Sequence, residues 1–318
     1  MDSFFQKFLL TLTCARINHW MKNIFILPGF AMALVIESIT LNSFLSLFIA
    51  IVAVNFLASA NYSLNEIFDK ELDKFHPHKK ERPLAKGLIP SYYVFFQYIF
   101  CVAFGLFLST YLKPMFFYLS ILFLVMALVY NIPPIRAKEI PFIDVLVEAF
   151  NNPIRLSLGW ASICSIIFPP LSFAICYWFG GAFLMAMKRY SEYKLINDKV
   201  ASIKYRKSFI YYNETNLLLS SFLYALVSVF FLGIFIVKYY IEFILVFPLI
   251  SFLFIWYAYL AIDKKNDNGI STGKLLKNRP FILYCILIGI LTISLFFVDI
   301  SFLDHFIDHT YLNDIRIN

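Results

Sequence analysis

The sequence predicts an all-α, polytopic membrane protein with about nine transmembrane helices in one bundle. Apolar residues make up 61% of its 318 residues and aromatic residues 19%, whereas charged residues make up only 15%, against about 25% in an average soluble domain. The apolar residues come in runs of about 20, long enough to cross a hydrocarbon core about 30 Å thick. A transmembrane β-barrel would instead show short segments of alternating hydrophobicity.

These runs predict a single membrane domain over residues 1–298, followed by an acidic tail at 299–318. Residues 1–21 have the spacing of an amphipathic helix that lies on the membrane surface. The fifth span is unusual because polar residues open it: Asp144, Glu148, Asn151, Asn152, Pro153 and Arg155. The predicted spans are 22–41, 43–64, 91–111, 115–131, 143–163, 168–187, 215–237, 241–262 and 280–298.

Basic residues in the connections predict the orientation of the bundle. With the N-terminus in the cytoplasm, the cytoplasmic segments hold 23 lysine and arginine residues, and the outer segments hold three, Lys113, Lys238 and Arg316. This asymmetry favours a multi-pass protein of the inner (plasma) membrane with its C-terminus outside. Topology alone explains most of these charges, so only those in particular patterns are candidates for chemistry.

The stretch Asn65–Pro83 (NEIFDKELDKFHPHKKERP) follows the second apolar run and combines carboxylates with a basic loop. Asn65, Asp69 and Asp73 recur every four residues, so a helical segment would place them on one face. Carboxylates one turn apart can hold Mg²⁺ through one or two oxygens each, with water and substrate phosphates completing the shell. The alternative is a solvated acidic helix end that nearby lysines balance.

Polar groups that topology does not require also occur farther along the chain. Asp144 and Glu148 are one turn apart and Arg155 follows about two turns later, which is compatible with a second metal-binding or sugar-binding face. Helix capping would also explain Asp144, and snorkelling to the headgroups would explain Lys188 and Arg189. Arg155 is harder to explain structurally, because a guanidinium is always charged and binds phosphate through two donors.

Other kinds of site find little support in the sequence. Five scattered cysteines form no CxxC pair, which favours small apolar fillers over a zinc site or disulfides. His305 and His309 lie one turn apart in the acidic tail, where a solvated or interfacial segment is favoured over a metal site. The sequence has no GxxxxGK[ST] loop, GxGxxG turn or Ser-His-Asp pattern, and no nucleic-acid partner is expected.

The chain resembles the UbiA superfamily of intramembrane prenyltransferases, which carries an N-D-x-x-D-x-x-x-D stretch after the second helix. Here the stretch reads Asn65, Glu66, Asp69 and Asp73, with Glu66 in place of the usual aspartate. The superfamily has a second aspartate-bearing stretch after the fourth helix, and both stretches lie on the cytoplasmic side of a nine-helix bundle. The resemblance implies that these four residues hold Mg²⁺.

Four blocks resemble one branch of that superfamily, decaprenyl-phosphate phosphoribosyltransferase, and span most of the chain in order. The blocks are R-x-x-x-W-x-K-N (Arg16, Trp20, Lys22, Asn23), H-P-x-K-x-x-R-P (His76, Pro77, Lys79, Arg82, Pro83), an acidic region (Lys138, Pro141, Asp144, Arg155, Gly159) and K-R-Y-x-E (Lys188, Arg189, Tyr190, Glu192).

Two stretches depart from that branch. The stretch NIPPIRAKEIPF is longer than in the branch and resembles the aromatic-prenylating relatives, and residues 151–153 replace a more apolar run.

This resemblance implies Mg²⁺-dependent transfer of 5-phosphoribosyl from phosphoribosyl pyrophosphate to a polyprenyl phosphate in the lipid bilayer, with release of pyrophosphate. Asp144 would hold the ribose hydroxyls and Arg155 a phosphate. The implied catalytic residues are Asp69, Asp73, Asp144, Lys79 and Arg82. The implied substrate-binding residues are Arg16, Lys22, Asn65, Lys138, Arg155, Lys188, Arg189 and Tyr190.

Two alternatives remain open at this point. In one, a prenyl pyrophosphate donates its chain to an aromatic or other small acceptor, although the HPxKxxRP and KRYxE blocks favour the ribosyl donor. In the other, the protein is a transporter or lipid-binding protein, which would place charges at the midplane and broken helices in paired positions. The charges gather at one face instead.

Overall fold

The computed structural model describes residues 2–37, 39–164, 168–196, 198–263 and 278–306. These residues form α-helices joined by 3₁₀ segments and loops, and the described ranges contain no strand. The acidic tail is described only to residue 306, so His309 lies outside the described residues. The helices are α1 (Asp2–Cys14), α2 (Leu27–Ile36), α3 (Leu41–Asp69), α4 (Ser91–Ser109), α5 (Pro114–Asn131), α6 (Ile143–Ala149), α7 (Asn151–Ala161), α8 (Leu171–Ile196), α9 (Lys199–Tyr205), α10 (Glu214–Tyr239), α11 (Phe247–Ile262) and α12 (Arg279–Leu295).

Within the described ranges, six helical segments are long and apolar enough to cross a membrane. The helices α11 and α12 are apolar but shorter, and the residues of the predicted fifth span are divided between α6 and α7. The helical membrane class is therefore confirmed, whereas the count of about nine spans is not. The six segments are Phe5–Ile36, Leu41–Asp69, Ser91–Ser109, Pro114–Asn131, Leu171–Ile196 and Glu214–Tyr239.

Local sequence explains where several helices begin. Thr40 caps α3 by accepting a hydrogen bond from the backbone N–H of Ser43 at 3.2 Å, and Asn213 caps α10 in the same way. Pro114 opens α5 at a position where no backbone N–H is needed. Pro153 lies in the first turn of α7, which a proline also tolerates. The polar run that opens the fifth span thus starts a second, separate helix.

The helices α2 and α7 cross with their backbones in direct contact. A Cβ atom added at Gly29 would lie 1.8 Å from the carbonyl oxygen of Leu156, and one added at Gly159 would lie 1.9 Å from that of Ile26. Only glycine permits an approach this close. The crossing fixes α7 against α2 and against the 3₁₀ segment Ile17–Ile26, which precedes α2.

We expect Gly29→Ala and Gly159→Ala each to prevent the accumulation of folded protein, because the added methyl group meets main chain that cannot rotate away. Gly233→Ala is the matched control, since nothing lies within 4 Å of a Cβ added there in α10. The yield of monodisperse protein extracted from membranes measures the effect. Equal yields of Gly29→Ala and Gly233→Ala would contradict the close crossing.

Apolar clusters hold the remaining helices together. One cluster includes Phe173 of α8, Phe235 of α10 and Phe296 after α12. Another, around Leu57 and Phe123, joins α3 to α4, α5 and α7. Large apolar side chains are also exposed along the outer helix surfaces, as expected where lipid rather than water surrounds a bundle. Charged groups therefore concentrate at one end of the bundle, where α3, α5 and α8 finish.

Candidate functional site

This polar end contains most of the residues that the sequence singled out. The helix α3 ends at Asp69, and Asp73 begins a separate 3₁₀ segment, Asp73–Phe75. Asn65 and Asp69 therefore share a helix face as predicted, but the helix does not continue to Asp73. The buried side chain of Asp73 instead accepts a hydrogen bond from Arg82, nine residues later.

Each carboxylate of the NExxDxxxD stretch pairs with a basic side chain. Asp69 accepts from the ammonium of Lys138, and Glu66 lies 2.8 Å from the guanidinium of Arg16. Arg82 is shared, since it bonds Asp73 and also lies 3.7 Å from Glu66. Basic groups from three different loops thus neutralise the acidic end of α3.

Burial shifts the pKa of two members of these pairs. It raises the pKa of the Asp73 carboxyl above its ordinary value, an effect that the charges of Arg82 and Lys79 oppose. Burial lowers the pKa of the Lys138 ammonium, and the nearby carboxylate of Asp69 opposes that shift. Both directions follow from burial, which removes water from the two groups.

His76 organises the basic loop through its ring nitrogen Nδ1. Its Nδ1 atom accepts hydrogen bonds from the backbone N–H groups of His78 and Lys79 at 3.1 and 3.2 Å. Burial, followed by the charge of Lys79, lowers the pKa of His76 to about 3. The imidazole is therefore neutral, with its proton on Nε2, and it turns the loop so that Lys79 lies 2.9 Å from Glu192 of α8.

Arg189 lies at the centre of a buried network that joins α5, α6 and α8. Its side chain is 1% exposed, and the guanidinium contacts Asp144 at 3.1 Å and Glu192 at 2.9 Å. It also bonds Glu148 and the hydroxyl of Tyr130. The sequence predicted that Arg189 binds substrate, but the structure surrounds it with three carboxylates of the protein.

Asp144 is fully buried and already occupied by protein donors. Besides Arg189, it accepts hydrogen bonds from Arg206 at 3.2 Å and from the hydroxyl of Tyr212. Sequence reasoning missed Arg206 and Tyr212, because Arg206 was counted only as a topology charge. The aromatic residues that flank it in KYRKSFIYY are the signal that could have distinguished it from the surrounding exposed lysines.

Tyr190 faces a different environment from the carboxylates at the end of α3. Its ring packs in an apolar cluster with Met187 and Phe209. Its hydroxyl donates to Glu214 at the start of α10, at 3.2 Å. The structure therefore does not bring Tyr190 together with the other predicted substrate-binding residues.

Arg155 extends from α7 into the interior of the bundle. Its Nε atom donates to the side-chain oxygen of Asn23 at 2.9 Å, and Asn23 donates to Asn55 of α3 at 2.7 Å. The guanidinium lies 5.0 Å from the centre of the Phe123 ring. Gly159, which belongs to the same sequence block as Arg155, forms the crossing with α2 that positions α7.

The donor atoms at the end of α3 fit a magnesium ion held mainly by substrate. The side-chain oxygen of Asn65 is buried, and the described residues give it no partner; the Asp69 carboxylate follows one turn later. In the described ranges no group of three or more His, Cys, Asp or Glu is arranged to hold a metal. Mg²⁺ commonly takes one or two protein oxygens and completes its shell with phosphates and water, which matches this pair.

Comparison with known proteins identifies the class. Residues 24–278, which are most of the chain, match the UbiA prenyltransferase family. The helical membrane bundle with its charged end is thus a membrane-embedded transferase, and the chain belongs to the UbiA prenyltransferase family.

The names of individual related proteins are more specific than that of the family. The chain is 29% identical over 206 residues to a decaprenyl-phosphate phosphoribosyltransferase of Mycobacterium tuberculosis (strain ATCC 25618 / H37Rv), with 64% of this chain and 65% of the relative covered. It is 27% identical over 202 residues to the protein of the same name from Corynebacterium glutamicum, with 64% and 59% covered. The match therefore spans slightly under two thirds of these relatives' own length.

Solved structures share the fold. A UbiA homolog from Archaeoglobus fulgidus bound to GPP and Mg²⁺ superposes with a TM-score of 0.68 at 20% identity, covering 91% of this chain and all of that one. The apo structure of a UbiA homolog from Aeropyrum pernix K1 gives a TM-score of 0.62 at 17% identity, covering 88% and 98%. At this identity the likeness establishes the architecture alone.

Proposed function

We propose that the protein transfers 5-phosphoribosyl from phosphoribosyl pyrophosphate to a polyprenyl phosphate and releases pyrophosphate, with Mg²⁺ as cofactor. The observation that carries this proposal is the ion pair between Lys79 and Glu192. It joins the HPxKxxRP loop to the KRYxE helix end, so the two blocks typical of the phosphoribosyl branch form one surface. The names of the curated relatives support the same activity.

In this proposal the pyrophosphate of the donor binds at the end of α3. Asn65 and Asp69 would hold Mg²⁺, which supplies positive charge to the leaving pyrophosphate. Lys79 and Arg82 exchange their carboxylate partners for phosphate oxygens, and Lys138 remains beside Asp69. Pre-positioned positive groups stabilise the charge that develops as the leaving group departs.

The chemical step needs no protein base. A phosphate oxygen of the lipid attacks C1 of the ribose, the C1–O bond breaks, and its electron pair leaves with the pyrophosphate. The attacking phosphate is already ionised at neutral pH, so no proton has to be removed. A neutral, buried His76 that accepts two backbone hydrogen bonds is compatible with this mechanism.

The distribution of charge supports a cytoplasmic site. The polar end holds the loops that carry most of the basic residues, and such loops face the cytoplasm in multi-pass proteins. We therefore place the N-terminus and the site on the cytoplasmic side of the plasma membrane. The donor is water-soluble and would reach the site from that side, whereas the acceptor would arrive through the bilayer.

A transfer assay tests the proposal. Purified protein in lipid nanodiscs is incubated with Mg²⁺, labelled phosphoribosyl pyrophosphate and a polyprenyl phosphate, and the label in the organic phase is counted. We expect label to enter the lipid in an amount equal to the pyrophosphate released. No transfer, together with prenylation of an aromatic acid from a prenyl pyrophosphate, would refute the proposal.

That outcome would favour the second candidate function, prenyl transfer to a small acceptor. The neighbours solved with GPP or DMAPP and Mg²⁺ support it at the level of the fold. Both functions use an acidic end that holds Mg²⁺ and a pyrophosphate, so the assay with two donors is what separates them.

A further inference from the structure

Two cations in the interior lack the carboxylate partners that the bases at the end of α3 possess. Arg155 and Lys22 form no ion pair within 4 Å in the part of the chain that the structure describes, and Lys188 only reaches Glu148 at that limit, 4.0 Å. The Lys188 side chain is nevertheless 28% exposed, so it borders accessible space. Lys22 directly precedes Asn23, whose side chain accepts a hydrogen bond from Arg155. Glu148, which Lys188 approaches, lies one turn before Asn151, whose carbonyl Arg155 contacts at 3.4 Å.

Arg155 lies well below the acidic end of α3. Arg155 bonds Asn23, which in turn bonds Asn55 of α3. Its guanidinium also covers the ring of Phe123, whose backbone carbonyl accepts a hydrogen bond from Asn61 of α3. Asn61 and Asn55 precede Asp69 by 8 and 14 residues on one helix, which corresponds to about 12 and 21 Å at the α-helical rise.

A buried guanidinium at this depth needs an anion. Charged side chains inside a membrane protein are expensive and generally face a functional cavity or a partner charge. The contacts of Arg155 are neutral: Asn23, the carbonyl of Asn151 and the Phe123 ring. Because a guanidinium offers five donors and stays charged at any physiological pH, the remaining donors are suited to phosphate oxygens.

We infer that Arg155, together with Lys22 and Lys188, binds the phosphate monoester of the lipid acceptor, separately from the pyrophosphate site at the end of α3. This inference rests on the proposed function and divides its two substrates between two sets of bases. Two groups could supply the phosphate: the lipid headgroup or the 5-phosphate of the donor. The depth of Arg155 below the end of α3 favours the lipid, because the lipid phosphate reaches the protein from within the bilayer.

Two buried side-chain oxygens without a hydrogen-bond donor in the described part of the chain lie between the end of α3 and Arg155, where the sugar of the donor substrate would lie. Among the described residues, the buried side-chain oxygens of Asn61 on α3 and Asn151 on α7 have no hydrogen-bond donor. Ribose hydroxyls are donors that would satisfy them. The substrates would then be arranged with pyrophosphate near Asp69, ribose in the middle and the acceptor phosphate at Arg155, which places C1 between leaving group and nucleophile.

Steady-state kinetics with a short acceptor, farnesyl phosphate, tests the inference. We expect Arg155→Gln to raise the KM for farnesyl phosphate about 10- to 100-fold, the range for losing a charged hydrogen bond, and to change the KM for phosphoribosyl pyrophosphate less than about twofold. Lys188→Gln should show the same selectivity. Lys199→Gln, which removes an exposed cation from α9, is the matched control and should change neither KM.

The opposite selectivity, a raised KM for phosphoribosyl pyrophosphate with an unchanged KM for farnesyl phosphate, would overturn the inference and assign the site to the donor's 5-phosphate. An unchanged KM for both would also overturn it. If Arg155→Gln fails to fold, Lys22→Gln decides, since Lys22 lies outside the hydrogen bonds from Arg155 to Asn23 and Asn55.

Direct binding separates this inference from the proposed function. Farnesyl phosphate is titrated into nanodisc-bound protein without any donor, with farnesol as the neutral comparison. Binding of farnesyl phosphate that Arg155→Gln weakens would uphold the phosphate site even if the protein transferred nothing from phosphoribosyl pyrophosphate. Equal binding of farnesyl phosphate and farnesol would refute the site even if transfer were observed.

Discussion

Asp69→Asn should lower kcat/KM for the transfer reaction about a thousandfold while leaving the protein folded. In the proposed function this carboxylate would hold Mg²⁺ together with Asn65. Metal charge contributes several kcal/mol to stabilising a leaving pyrophosphate, with about 1.4 kcal/mol for each factor of ten. Folding should survive, because Lys138 keeps the side-chain oxygen of Asn131 at 3.0 Å as a partner.

The test compares initial rates of the variants and the unsubstituted protein across a Mg²⁺ titration. The thermal unfolding midpoint of each protein is measured as well. Glu71→Gln is the control: this carboxylate lies two residues further along, is exposed and, among the described residues, pairs with Lys74 at 2.6 Å. It should keep the full rate. If Asp69→Asn kept its rate and its Mg²⁺ dependence, this residue would be excluded from the metal site.

Arg189→Met should destabilise the protein by about 3–5 kcal/mol, the usual cost of removing one partner from a buried ion pair. The substitution leaves Asp144, Glu148 and Glu192 with one base fewer, and Asp144 is fully buried. Thermal unfolding in a mild detergent measures the effect, and the midpoint should fall well below that of the unsubstituted protein.

Lys194→Met provides the matched control on the same helix. Among the described residues the Lys194 ammonium contacts the carbonyl of Ile262 at 3.5 Å and lies 5.2 Å from the centre of the Tyr190 ring. It should leave the midpoint unchanged. The sequence-based interpretation of Arg189 as a phosphate ligand predicts a different result. If Arg189→Met kept the unfolding midpoint of the unsubstituted protein but bound phosphoribosyl pyrophosphate much more weakly, that interpretation would be correct and the structural role wrong.

The general architecture could be predicted from the sequence because hydropathy determines which segments enter a membrane. The second, third and fourth predicted spans agree closely with α3, α4 and α5. The spacing of Asn65 and Asp69 correctly indicated a shared helix face. These features depend on composition and local periodicity, which a single sequence contains in full.

Other features depend on contacts between distant segments and could not be predicted in this way. Nothing local indicates that α3 ends at Asp69, since the next residues continue the same spacing; the ion pair of Asp73 with Arg82 belongs to the loop that follows. Asp144 resembled a ligand because its partners, Arg189 and Arg206, are 45 and 62 residues away in sequence. A pattern search finds charged residues, but only the packed structure shows which charges already neutralise one another.

The glycine crossing of α2 and α7 makes the position of Arg155 independent of the outer helix surfaces. Because Gly29 and Gly159 bring main chain against main chain, the depth of Arg155 is fixed without any contribution from lipid-facing side chains. Under the proposed function, substitutions on the outer helix surfaces would alter the fit of the acceptor's hydrocarbon tail while Arg155 keeps its position. On this proposal, changes to the exterior alone would adapt the scaffold to acceptors of different length, with the residues around Arg155 unchanged.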